Sequence, residues 1–93
     1  MNNIIVRVSK LDDCTTIGVY NEKEKMYDYL DFNMIDNGRY WICTLCGADD
    51  EPAITNKTDK SIMHFKEVGL GDYMYNITIV KDEDAYEIAI IEL

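Results

Sequence analysis

Three cysteines and one histidine are the residues whose types and spacing could do chemistry in this chain. Cys43 and Cys46 form Cys43-Thr44-Leu45-Cys46-Gly47, half of a zinc-knuckle pattern. Cys14 is the remaining cysteine and His64 the sole histidine. Together Cys14, Cys43, Cys46 and His64 make one Cys₃His set, the ligand count of a structural Zn²⁺ site. Two cysteines separated by two residues can both reach one ion, and Gly47 lets the chain turn so that backbone N–H groups face the sulfurs. Asp49 or Asp50 could replace His64 as fourth ligand. Such a staple would join distant segments and add folding free energy. The alternative is three reduced thiols and an ordinary histidine, and closure of the ligand count at four favours zinc.

Other chemistry is thin. A redox-active CxxC sits at a helix N-terminus or beside cations, which stabilise the thiolate. Here the acidic run Asp49-Asp50-Glu51 and then Pro52 follow instead. Cys46, His64 and an aspartate would make a nucleophile and base, but no local signature accompanies them. Phosphate-binding glycine motifs are absent, and Gly69-Leu70-Gly71 is too short to be one. The residues therefore point away from an enzyme. An odd cysteine count also argues against a disulfide framework.

The elements that must position these residues read mostly as strands. With 93 residues and 47% hydrophobic content, the chain is expected to form a single compact domain over 1–93. Residues 4–8 alternate as a first strand, and 15–20 form a β-branched second. The segment 25–34 fits a strand, although 22–30 could make two helical turns. Asp36-Asn37-Gly38 is a tight-turn signal that needs a strand on each side, and 39–45 supplies the second. There Tyr40, Ile42 and Thr44 oppose Trp41, Cys43 and Leu45. Residues 47–57 read as a loop. A helix is expected over 58–68, capped by Thr58 or Asp59, with Ile62, Phe65 and Met63 buried and Gly69 and Gly71 ending it. Residues 73–80 and 85–93 form a terminal hairpin around the turn 81–84. The expected fold class is thus α+β: mainly antiparallel sheet, with one or two short helices and a zinc staple.

With 18 acids against 9 bases the net charge is −9. That field repels nucleic acid and anionic membranes, and suits a basic protein partner. No leading apolar stretch resembles a signal peptide, so a cytoplasmic location in a bacterial host is expected. The acids gather as Asp12-Asp13, Asp28/Asp31/Asp36, Asp49-Asp50-Glu51 and Asp82-Glu83-Asp84. The last two clusters, Asp49, Asp50, Glu51 and Asp82, Glu83, Asp84, are the candidate partner-binding acids, able to stand in for phosphates in a basic groove. Tyr27, Tyr29, Tyr73 or Tyr75, if exposed, would anchor the contact. Charged turns also keep a small β-rich protein soluble.

In size, acidity, lack of a catalytic motif and the Cys14/Cys43/Cys46/His64 staple, the chain resembles the small phage-encoded anti-CRISPR inhibitors. The resemblance is one of kind, with no shared motif, so it carries over no functional residue. It implies a non-enzymatic inhibitor that binds a type II RNA-guided nuclease and blocks DNA or guide loading. An immunity protein or antitoxin facing a basic nuclease toxin is the first alternative, and a small zinc or thiol enzyme the second.

Overall fold

The computed structural model describes residues 3–11, 15–46, 49–56, 60–70 and 72–93, for some of which only the backbone is described. Period-two alternation of apolar and polar side chains runs through almost all of them, and it builds eight strands. These are β1 (Asn3–Val8), β2 (Thr15–Asn21), β3 (Met26–Asn37), β4 (Tyr40–Cys46), β5 (Asp49–Asn56), β6 (Lys60–Leu70), β7 (Tyr73–Asp82) and β8 (Ala85–Glu92). They form two four-stranded sheets, ordered β1-β8-β7-β6 and β2-β3-β4-β5, and every pairing is antiparallel. Each sheet is a run of hairpins, except that β1 joins β8 from the far end of the chain.

The inward residues of the two sheets meet in one core. Val19, Leu30, Phe32 and Cys43 come from one sheet, and Met63, Tyr75, Ile77, Ile79, Ile88 and Ile90 from the other. All are essentially inaccessible to solvent. At one end Lys81 closes the core by bridging the sheets. Its ammonium lies 5.0 Å from the ring centre of Trp41 on β4 and 5.5 Å from that of Tyr86 on β8. The same Nζ donates a 3.0 Å hydrogen bond to the carbonyl of Glu83. At the start of β3, the buried Asn21 organises the turn 22–25. Its Oδ1 accepts from the N–H groups of Lys23 and Glu24 at 3.0 and 3.1 Å, and its Nδ2 donates to Asp28. This is the local bonding by which asparagine stabilises turns.

The expectation of an α+β fold with helices is overturned: among the described residues there is no helix, and the fold is all-β. The helix expected over 58–68 is strand β6, while Thr58 and Asp59 lie outside the described residues. A β-bulge explains the misreading. Met63 and Phe65 face inward, the register then slips between Phe65 and Val68, and Val68 and Leu70 face inward again. One extra residue in the strand turns a period of two into a three-residue step that imitates a helix. At the bulge Glu67 takes a positive φ of 54°, and its N–H is received by Asn76 Oδ1 at 3.0 Å. Ile62, expected to be buried, is exposed.

The loop expected over 47–57 is largely strand β5. Pro52 sits within it and is tolerated because β5 is the edge of its sheet and its pairing with β4 is irregular between Asp49 and Ala53. The helical alternative for 22–30 is resolved as a turn followed by β3. The tight turn lies one step beyond Asp36-Asn37-Gly38: Asn37 pairs with Tyr40, leaving Gly38 and Arg39 as the two turn residues.

Candidate functional site: an exposed tyrosine face

The turn at 22–25 fixes the register of the β2–β3 hairpin, and that register builds the most conspicuous surface feature. Tyr20 pairs with Tyr27, Gly18 with Tyr29 and Thr16 with Asp31. Ile17, Val19, Leu30 and Phe32 are buried inward, so Tyr20, Tyr27 and Tyr29 face outward. They are 40%, 57% and 61% exposed. Tyr20 meets Tyr27 edge to face at a centroid distance of 5.3 Å, and Tyr27 stacks on Tyr29 at 6.3 Å. Both geometries are favourable for aromatic pairs.

Gly18 makes room for this arrangement. A Cβ at that position would lie 3.2 Å from Tyr27 Cδ1 and 3.2 Å from Tyr29 Cε1, so the two rings lean over bare backbone. Beside them Asp31 carries a carboxylate whose Oδ1 accepts a 2.6 Å hydrogen bond from Thr16 Oγ1. The result is an aromatic surface with a held negative charge at its margin. Such a surface suits a cation, because tyrosine faces attract Lys and Arg side chains and the carboxylate completes the pair. Farther along the same outer face lie Ile35 and Tyr40, also exposed.

The sequence-derived anchors separate in this structure. Tyr27 and Tyr29 are exposed as required, Tyr73 is half-buried, and Tyr75 belongs to the core at 1% exposure. Tyr20 was not among the expected anchors. The signal for it is symmetry about the turn, since residues 20 and 27 are equidistant from the centre of 22–25. Among the candidate acids, Asp82, Glu83 and Asp84 are exposed at the β7–β8 turn. With Arg7 and Ala85 they line a shallow groove of about 420 Å³. Asp49, Asp50 and Glu51 lie in β5, with side chains outside the described part, and Asp12 and Asp13 lie outside the described residues.

The candidate zinc ligands do not converge where they are described. Cys43 is fully buried between the sheets, and burial pushes its thiol up to about 12. His64 stands on the outward side of β6, between the buried Met63 and Phe65, with Nδ1 3.2 Å from Thr78 Oγ1. One is in the core and the other on the outer surface of the opposite sheet. Cys43 and Cys46 lie three positions apart in an extended strand, about 10 Å along its axis, whereas a knuckle needs a tight turn between them. The Cys46 side chain is outside the described part, and Cys14 outside the described residues. No group of three or more His, Cys, Asp or Glu able to hold a metal occurs among the described residues. Cys43 and His64 therefore do not fit a common ion.

No family model, curated protein or solved structure matches the chain. Among the described residues, no helix is long and apolar enough to cross a membrane.

Proposed function

We propose that this chain is a non-catalytic binding module that engages a basic protein through the tyrosine face of β2 and β3. The carrying observation is the cluster Tyr20–Tyr27–Tyr29, exposed and mutually packed over Gly18. The net charge of −9 supplies long-range attraction to a basic partner. Tyrosines then provide rigid contact area at low entropic cost, as anchor residues of interfaces do. Asp31 receives a lysine or arginine at the margin. The specific form of this reading is a phage inhibitor of a type II RNA-guided nuclease. Such an enzyme holds its heteroduplex in a positively charged channel, which an acidic domain can obstruct.

The test measures two things on purified components. The first is cleavage of target DNA by a guide-loaded type II nuclease with increasing amounts of this protein. The second is binding to an arginine-rich peptide, by calorimetry at low and high salt. Inhibition or peptide binding that weakens with salt, and that is lost in the Tyr27→Ser/Tyr29→Ser variant, supports the reading. A wild-type protein that neither inhibits the nuclease nor binds the peptide overturns it.

A further inference from the structure

The four sheet edges are not alike. β5 carries Pro52, which cannot donate to an added strand. β6 carries the bulge around Glu67, which breaks a regular ladder. β2 carries Gly18, which has no side chain to pack and weakens a strand, and its inward residues Ile17 and Val19 are already buried. β1 has none of these devices. Its sequence Asn3-Ile4-Ile5-Val6-Arg7-Val8 is apolar and strand-forming. On one side it pairs with β8, and among the described residues no strand pairs with its other side. Its inward side chains Ile4, Val6 and Val8 stay only half-buried, while Ile5 on the outer face is 68% exposed. A mostly aliphatic edge strand with neither proline nor bulge is a template for another strand.

We propose that β1 pairs with β1 of a second copy of this chain, antiparallel and centred on Ile5, joining two four-stranded sheets into one of eight strands. The sequence of β1 is complementary to itself in that register. Ile5 faces Ile5 of the second copy, Ile4 faces Val6, and Asn3 faces Arg7. No like charges meet, and the inward row becomes continuous aliphatic surface. Arg7, the one charged residue of the strand, already lies 3.8 Å from Glu87 of its own sheet, so its charge is balanced locally. The tyrosine face lies on the other sheet, so this inference is argued independently of the proposed function.

A charge exchange at the dyad tests it. Wild-type protein is run by sedimentation velocity over a wide concentration range beside Ile5→Asp, Ile5→Lys and an equimolar mixture of the two. Residue 5 is exposed, so each variant keeps the β-sheet circular dichroism of the parent. Wild type is expected to form a dimer, and each variant alone to weaken it by about tenfold or more, because like charges then stand directly opposite. Mixing the two variants restores the dimer, since Asp faces Lys. In parallel, amide exchange of residues 3–8 in the wild type is expected to slow as concentration rises. A wild type that stays monomeric with concentration-independent exchange overturns the inference. So does a dimer insensitive to both substitutions, or one that the mixture fails to restore.

Discussion

The outer faces of the two sheets are built from different side chains. On the β1-β8-β7-β6 sheet the described outward positions mix aliphatic, polar and charged residues without an aromatic cluster, among them Ile5, Arg7, Ile62, His64, Thr78 and Glu87. On the β2-β3 hairpin they hold three tyrosines over a glycine, next to a hydrogen-bonded aspartate. The inner faces are alike, since both contribute fully buried aliphatic residues to one core. Rings with polar tips that remain exposed and touch one another can bind without being needed to hold the fold. The comparison therefore separates two kinds of residue: inward ones that determine stability and outward tyrosines to which the proposed function assigns recognition.

The largest effect that would sharpen this division is on the inward side. Ile79 and Ile88 pair across β7 and β8 and are both fully buried. Ile88→Ala should lower unfolding free energy by about 2–5 kcal/mol, through lost burial and the cavity left behind. Urea denaturation of the two proteins measures it. Next comes the tyrosine face. Tyr27→Ser/Tyr29→Ser should weaken partner binding by about 2 kcal/mol or more, as interface anchors do. The same change should cost stability only about 1 kcal/mol, the scale of cross-strand aromatic pairs. Equal losses in binding and stability would break the division. Gly18→Ala is the finer probe: its new methyl would lie 3.2 Å from both leaning rings, so they must shift.

Cys43 gives a pH-dependent version of the same contrast. Burial raises its pKa from 9.0 to about 12 in the folded chain. The stabilisation this represents is fully present below pH 9.0, where both folded and unfolded chains keep the proton. Above that the unfolded chain ionises first, so stability declines as pH rises toward 12, by about 1.4 kcal/mol per pH unit. Cys43→Ala removes this slope while other alkaline titrations stay common to both proteins. Unfolding free energies measured between about pH 8 and pH 11 should therefore converge for the two chains. Parallel curves would show that the thiol does not sense the core.

How much of this was legible follows from where period two is unbroken. Residues 15–20, 39–45 and 73–80 alternate cleanly, and the structure has strands at all three places. The segment 60–70 hid its strand because the bulge at Glu67 shifts the alternation midway. Pro52 and the neighbouring acids concealed β5, because proline is excluded from regular central strands, whereas an edge strand with irregular pairing admits it. At the site, Tyr27 and Tyr29 were readable as exposed anchors. Tyr75 was not separable from them by type, since it is the inward face of β7, shared with Ile77 and Ile79, that buries it. The cysteines misled for a related reason. A CxxC spacing suggests a knuckle only if the chain turns there, and in an extended strand it holds the two residues apart.

The smallest predicted effect compares two turns of the same length, one in each sheet. Gly38 and Arg39 connect β3 to β4, and Glu83 and Asp84 connect β7 to β8. In both, the first turn residue has a positive φ: 67° at Gly38 and 52° at Glu83. Glycine adopts that conformation freely, whereas a residue with a Cβ does so at a cost of about 1 kcal/mol. The β3–β4 hairpin is thus relaxed at this position and the β7–β8 hairpin strained, as the β2–β3 turn also is at Lys25, where φ is 56°. Glu83→Gly relieves the strain but frees more backbone in the unfolded chain, so the net gain should be under about 1 kcal/mol. The Lys81 bond to the carbonyl of residue 83 involves backbone and survives the change. Gly38→Ala imposes the strain that Glu83 already bears and should lose about 1 kcal/mol. Opposite signs in the two thermal midpoints would establish that the turns differ in strain alone. A loss in both would mean that the Glu83 side chain contributes contacts outweighing its backbone cost.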